Sequence, residues 1–259
     1  MNKKIKQILN KKNKKKIICL TAYSKNVACI LDKHCDLILV GDSLGSVLYN
    51  YNSTKQVTLE TMINHSKSVR LGVTKSLMVV DMPYNTYRNP KEALKNSRLV
   101  MKKTKCDAVK LEGGKKIIPI VKNLIKNKIP VMGHVGILPQ TDKRFSFKGK
   151  KDKEKKKLLN DTKLLENAGA FSIVLECVES KLAKKISDQI KIPTIGIGSS
   201  VNCDGQVLVV DDLIGLSQSK LKFIKKFVDI TKLIEFGVKK YKSEVLKGSF
   251  PKAKHSFFK

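Results

Sequence analysis

Eight apolar runs recur along this chain, and several of them stop at an acid. They are "IICLTAY" (17–23), "LILVGDS" (37–43), "SLMVVDMP" (76–83) and "DAVKLEGG" (107–114), then "IPVMGHVG" (129–136), "FSIVLECV" (171–178), "IPTIGIGS" (192–199) and "QVLVVDDLIG" (206–215). A strand with one wet face alternates polar with apolar residues. A nearly continuous Val/Ile/Leu run instead belongs to a parallel strand covered on both faces. Segments of helical period lie between the runs. "NPKEALKNSRLVMKK" opens with a capping Asn89, Pro90 at the first helical position and Glu92 where a capping-box acid sits. Its Leu94, Arg98 and Met101 share one face, with Ala93 and Val100 nearby. "KDKEKKKLLNDTKLLENAGA" (151–170) carries Gly169 where a helix-ending glycine is expected, and "SKLAKKISDQI" (180–190) repeats the period.

Strands alternating with helices over 259 residues predict the α/β class and a single-domain (β/α)8 TIM barrel. An open doubly wound sheet is the runner-up. Neither G-x-G-x-x-G nor G-x-x-x-x-G-K-[ST] follows a strand, so a nucleotide-binding sheet lacks its usual support. The domain is expected to span 1–259, with a basic N-terminal segment at 1–16 and a C-terminal helical tail at 219–259 packing on its outside. "KRFSFKGKKDKEKKK" (143–157) is expected to be a loop.

The formal charge of +31 taken alone suggests nucleic acid. Of the 53 basic residues, only Arg70, Arg88, Arg98 and Arg144 are arginine. Specific base and phosphate recognition leans on the arginine fork, and the lysines here are scattered over every polar segment. They are expected to be solvated helix faces, with no specific nucleic-acid partner. The six cysteines form no C-x-x-C pair, which favours buried thiols in a reducing compartment over disulfides or zinc. No apolar run is long enough to span a membrane, and the basic N-terminus has no apolar leader region. The expectation is a cytoplasmic protein with no membrane partner.

In a barrel of this kind the active site forms at the carboxyl ends of the strands. Asp42 and Asp81 end neighbouring second and third strands, an arrangement suited to a hard divalent cation such as Mg²⁺. The competing reading is that each caps the turn after it. Lys110 and Glu112 lie two apart at the end of the fourth strand, on one face. They are either a plain buried ion pair or a pair meeting an anionic substrate and a metal-bound water. Glu176, among the apolar neighbours of "IVLECV", is suited to act as a base near neutral pH. His134 sits between Gly133 and Gly136, which leave room for a ligand to approach; a hydrogen-bonded core histidine is the alternative. Cys177 points to the opposite strand face from Glu176 and is expected to be packing. The glycines of "IGIGSSVNCDGQ" either bring backbone N–H groups to a ligand or form a tight loop.

Ordered motifs carry a family resemblance from about Lys16 to Phe257. They are "TAY" (21–23), "VGDSLG" (40–45), "HSKSVRLG" (65–72), "VKLEGG" (109–114), "GHVGILPQ" (133–140), "VLECV" (174–178), "IPTIGIGS" (192–199), "DGQVLV" (204–209) and "HSF" (255–257). The chain resembles the ketopantoate hydroxymethyltransferases. The resemblance implies a (β/α)8 barrel, Mg²⁺, a cytoplasmic location and a homodecamer. It implies transfer of a one-carbon unit from 5,10-methylenetetrahydrofolate onto 3-methyl-2-oxobutanoate, giving 2-dehydropantoate and tetrahydrofolate for pantothenate and coenzyme A synthesis. By position, Asp42 and Asp81 would bind Mg²⁺ with Glu112 helping through a water. Ser43 and Lys110, with Asp42 and Asp81, would hold the ketoacid. Glu176 would be the base, and His134 is a further candidate. The chain departs from the family pattern at Ser24, between Gly45 and Thr54, and in the 141–157 loop, which bears on folate affinity and loop closure. A Mg²⁺-dependent ketoacid lyase and a basic nucleic-acid-binding protein are the competing functions.

Overall fold

The computed structural model describes residues 2–142 and 146–258. Eight parallel strands close into a barrel in chain order: β1 (Ile17–Thr21), β2 (Leu37–Val40), β3 (Leu77–Asp81), β4 (Ala108–Glu112), β5 (Val131–Gly136), β6 (Ser172–Glu176), β7 (Thr194–Ile197) and β8 (Gly205–Leu208). β8 pairs back to β1 with Ile17 level with Gly205. The predicted (β/α)8 barrel is therefore present, and the open sheet is excluded.

The strand runs look continuous in sequence because both faces are covered. Strand residues such as Leu37, Leu39, Val79, Ala108, Met132, Val174 and Ile195 meet in one buried cluster. Two or four residues further on, the alternation of strand side chains puts Asp81, Lys110, Glu112, His134 and Glu176 in line with them. One face thus runs from apolar at the amino end of the barrel to charged at its carboxyl end.

The N-terminal segment is more than a basic extension. Residues Lys3–Leu9 form helix α1, capped by Asn2, and its Ile5 and Ile8 join the buried cluster. Lysines around it neutralise acids. Lys12 Nζ lies 2.8 Å from Asp204 Oδ2, with side chains 9% and 4% exposed. Burial works to raise Asp204, but Lys12 and the N–H groups of Thr194 and Asn13 hold it below the usual carboxylate range.

Helices α2 (Lys25–Leu31), α3 (Leu44–Tyr49), α4 (Leu59–Arg70), α5 (Pro90–Thr104), α6 (Ile118–Lys126), α7 (Asp152–Asn167) and α8 (Ser180–Gln189) fill the connections. α5 starts as its sequence predicts, with Asn89 accepting from the Glu92 N–H. Its buried stripe is Ala93, Ser97, Val100 and Thr104, not the Leu94, Arg98 and Met101 face. Small residues let α5 sit close, while the longer side chains flank the contact. α7 ends at Gly169, whose φ of +97° is the left-handed turn a helix-ending glycine supplies. The expected loop at 143–157 is helical from Asp152 onward, and 143–145 lie outside the described residues.

The eighth run is a strand only to Leu208; its second half forms the short helix α9 (Val210–Leu213). Residues 1–209 and 210–259 form two compact units. The second contains α9 and α10 (Ile230–Leu246). Within it the Phe227 N–H donates to Leu213 O at 2.9 Å and the Thr231 hydroxyl to Gly215 O at 3.0 Å. Rings of Tyr241, Phe250 and His255 meet at 5.6 and 5.3 Å. Among the described residues no helix is long and apolar enough to cross a membrane.

Candidate active site

Barrel register decides which strand ends meet. Asp81 is level with Lys110, Glu112 with His134, and Glu176 with Gly136. These pairings bring together side chains from five strands' ends. Lys110 Nζ lies 3.1 Å from Asp81 Oδ1 and 3.2 Å from His134 Nδ1. His134 Nδ1 is 3.4 Å from Glu112 Oε1, and its Nε2 is 3.2 Å from Glu176 Oε2. The Asp42 backbone N–H donates to Asp81 Oδ2 at 3.1 Å. Asp42, Asp81, Lys110, Glu112, His134 and Glu176 therefore form one continuous chain of contacts. Ser43 follows Asp42, and its hydroxyl is 2.8 Å from the Tyr23 hydroxyl.

Three sequence readings change here. Lys110 and Glu112 do not pair with each other: Lys110 faces Asp81 on the next strand, and Glu112 faces His134. Neighbours two apart on one strand stand about 6.6 Å apart, whereas barrel register sets Asp81 level with Lys110 and His134 level with Glu112, and these lateral partners are nearer. The room expected around His134 is also taken up by protein. A Cβ on Gly133 would lie 3.0 Å from Leu165 of α7, so that glycine admits a helix. A Cβ on Gly136, at φ +104°, would lie 2.1 Å from the Glu176 carbonyl oxygen, so that glycine lets β5 approach β6. The turn reading for Asp42 does not describe its carboxylate. Ser43 is the residue that precedes α3, and Asp42 Oδ2 accepts from the Gln140 side chain at 2.8 Å. Cys177 is buried as packing, at a left-handed φ of +48° directly after Glu176. In "IGIGSS", Gly198 also takes a left-handed turn.

Asp42, Asp81, Lys110, Glu112 and His134 are each 5% exposed or less, while the Glu176 side chain is 16% exposed at the rim. Burial and the neighbouring charges of Asp81 and Glu112 push Asp42 well above the usual carboxylate range. Burial also pushes Asp81 up, against the pull of Lys110. Burial opposes ionisation of Glu112, but His134 and Lys110 hold it low. Burial works against the Lys110 ammonium, yet Asp81, Glu112 and Asp42 raise it above its ordinary value. Burial and Lys110 press His134 down, and Glu112 with Glu176 raise it to about 9.

Three buried carboxylates thus crowd one lysine and one histidine, and Asp42 and Asp81 hold their charges only at a cost. Asp81 Oδ1 and Glu112 Oε1 are buried, with cationic neighbours but no aligned hydrogen bond. This donor set, hard oxygens with surplus negative charge, fits a hard divalent cation. Among the described residues no three His, Cys, Asp or Glu side chains stand as a ready ligand set. The arrangement suits direct ligation by two carboxylates, the remainder coming from water and substrate.

Sequence reasoning passed over Tyr23, Tyr87 and Gln140. Gln140 closes the "GHVGILPQ" motif and is 1% exposed. Its amide oxygen accepts from the Tyr87 hydroxyl. Burial pushes the Tyr87 phenol up, so it keeps its proton. An uncharged glutamine ending an apolar motif was the one available signal.

A family model described as ketopantoate hydroxymethyltransferase matches residues 2–253. A 3-methyl-2-oxobutanoate hydroxymethyltransferase of Pelagibacter ubique (strain HTCC1062) is 65% identical, over 99% of this chain and 100% of the relative. The enzyme of the same name from Anaplasma marginale (strain Florida) is 45% identical, over 98% of this chain and 92% of the relative. Solved structures with the same fold include phosphonopyruvate hydrolase (TM-score 0.64, 9% identity, 99% of this chain and 92% of that one). Another is 2,3-dimethylmalate lyase, a PEP mutase/isocitrate lyase superfamily member (TM-score 0.59, 11% identity, 99% and 93%). With the family model spanning nearly all of the chain, the chain belongs to the ketopantoate hydroxymethyltransferase family and so to the hydroxymethyl-transferring enzymes.

Proposed function

We propose that this chain transfers a hydroxymethyl group from 5,10-methylenetetrahydrofolate to 3-methyl-2-oxobutanoate with Mg²⁺, forming 2-dehydropantoate and tetrahydrofolate. The observation that carries the reading is the rim carboxylate Glu176 beside a buried, charge-crowded cluster at the carboxyl end of the barrel. Near-full-length identity to enzymes named for this ketoacid supports the substrate.

Asp42 and Asp81 would hold Mg²⁺, with Glu112 reaching it through a water. When bound, the ion supplies Lewis acidity to the ketoacid's keto oxygen. Lys110 adds a fixed positive charge against the same carboxylate and keto oxygens, and Ser43 contributes a hydroxyl. Both favour the enolate over the ketoacid, because charge that develops in the reaction meets groups already in place. Glu176 removes the C3 proton. His134, with Nε2 3.2 Å from Glu176 Oε2, orients that carboxylate. The C3 carbon then bonds to the folate methylene carbon. That carbon parts from both folate nitrogens: one C–N bond gives way to the C–C bond and the other to a C–O bond from water. The C3 proton and one water proton end on the two nitrogens of tetrahydrofolate. The electrophile belongs to the folate, and the barrel positions it.

We also propose that the chain assembles as a homodecamer in the cytoplasm; light scattering should give a mass near ten times 29.0 kDa. Product formation requiring both methylenetetrahydrofolate and Mg²⁺ tests the reaction. Turnover that needs no folate would favour a ketoacid lyase instead.

A further inference from the structure

We propose that Gln140 is a positioning residue, oriented by Tyr87, that holds the carboxylates of Asp42 and Glu112 in place for a divalent cation. The inference rests on the metal assignment above and deepens it. Gln140 sits on the segment after β5, yet it contacts groups from the ends of three other strands. Its Nε2 donates to Asp42 Oδ2 at 2.8 Å and to Met82 O at 3.0 Å. Its Oε1 accepts from the Tyr87 hydroxyl. Its backbone N–H donates to Glu112 Oε2 at 3.1 Å. Tyr87 in turn accepts from the Glu112 backbone N–H at 3.4 Å.

These contacts fix which way the amide faces. The carbonyl of Met82 can only accept, as can the Asp42 carboxylate when ionised to hold a cation, so the NH₂ end must face them. The Tyr87 hydroxyl gives its one proton to the amide oxygen. A turned amide would set its oxygen against the Asp42 carboxylate and its NH₂ against the Tyr87 hydroxyl. Both amide hydrogens and the amide oxygen are committed to protein groups, and the side chain is 1% exposed. Gln140 therefore acts on the reaction through the carboxylates it orients. Outer partners of this kind typically change metal affinity by about 10- to 100-fold when removed.

The test uses the full-length protein and Mn²⁺ alone as the probe, with binding read by electron paramagnetic resonance. Gln140→Leu should weaken Mn²⁺ binding by about 10- to 100-fold. Tyr87→Phe removes one oxygen and keeps the packing, and should weaken binding by about 2- to 12-fold, the worth of one hydrogen bond. The double variant should bind no more weakly than Gln140→Leu, because the Tyr87 hydroxyl reaches a carboxylate only through the amide, its other contact being the Glu112 backbone N–H. Saturating metal should restore ketoacid C3–H exchange in Gln140→Leu, which retains Glu176 and Lys110. If Gln140→Leu fails to fold, Tyr87→Phe decides alone. Unchanged Mn²⁺ affinity in folded variants, or additive losses in the double variant, would overturn the role of Gln140 and leave the metal assignment standing. Failure of the wild-type chain to bind Mn²⁺ would overturn the metal assignment and this inference with it.

Discussion

Replacing Lys110 by methionine isolates the electrostatics of the site, because methionine keeps most of the volume and removes only the charge. The Lys110–Asp81 contact is 3.1 Å long between side chains 5% and 4% exposed. At an effective dielectric of about 20, two unit charges at that distance attract by about 5 kcal/mol. Removing one partner of a buried pair typically costs about 3–5 kcal/mol, which agrees. The loss should depend on pH. Asp42 and Asp81 already sit above the ordinary aspartate value of 3.8, and without Lys110 they rise further. A carboxyl raised in the folded state binds protons there that the unfolded chain has released. Stability therefore falls as pH rises from 3.8 through the folded value, by up to about 1.4 kcal/mol per pH unit per group. The Lys110 contribution in the wild-type chain has the same sign but falls at higher pH. It is fully present below 10.5 and is lost as pH climbs through the raised folded value. Both pH 5.5 and pH 8 lie below that range, so urea unfolding in metal-free buffer at these two values isolates the carboxylate effect. Lys110→Met should cost about 3–5 kcal/mol at pH 8 and clearly less at pH 5.5. A loss under about 1 kcal/mol, or an equal loss at both values, would refute the reasoning.

Three other perturbations test separate parts of the account. Ile8→Ala, at a side chain 2% exposed in the barrel cluster, should cost about 2–5 kcal/mol by chemical denaturation. A neutral result would mean that α1 is dispensable to the core. Gly136→Ala sets a methyl 2.1 Å from the Glu176 carbonyl at φ +104°, so it should cost more than about 1 kcal/mol and also lower ketoacid exchange. A stable variant with full exchange would show that β5 and β6 need not approach so closely. Binding to DNA in mobility shifts should appear only at low salt and vanish at physiological salt, as expected for scattered lysines.

The barrel was legible because its strands are covered on both faces, so their apolar runs stand out against a lysine-rich background. The acids at the ends of those runs were legible for the same reason, since a charge closing a buried strand is conspicuous. Lateral pairing was not. Lys110 and Glu112 look like partners two apart, but β3–β4 register gives Lys110 to Asp81, and β4–β5 register gives Glu112 to His134. Register follows from barrel closure, which no local pattern encodes. Helix α1 was obscured because lysines fill its polar face and only Ile5, Ile8 and Leu9 carry the period. Gln140 and Tyr87 were missed because uncharged polar residues acquire a role only through the tertiary contacts they make.

The assignment of Glu176 as the base is open to one direct measurement: exchange of the ketoacid C3 hydrogen with deuterium oxide, followed by NMR with Mg²⁺ present and no folate. The wild-type chain should exchange, and Glu176→Gln should slow that exchange by about 10²–10⁴-fold while Mn²⁺ binding is unchanged. Exchange at the wild-type rate in a folded Glu176→Gln protein would contradict the account.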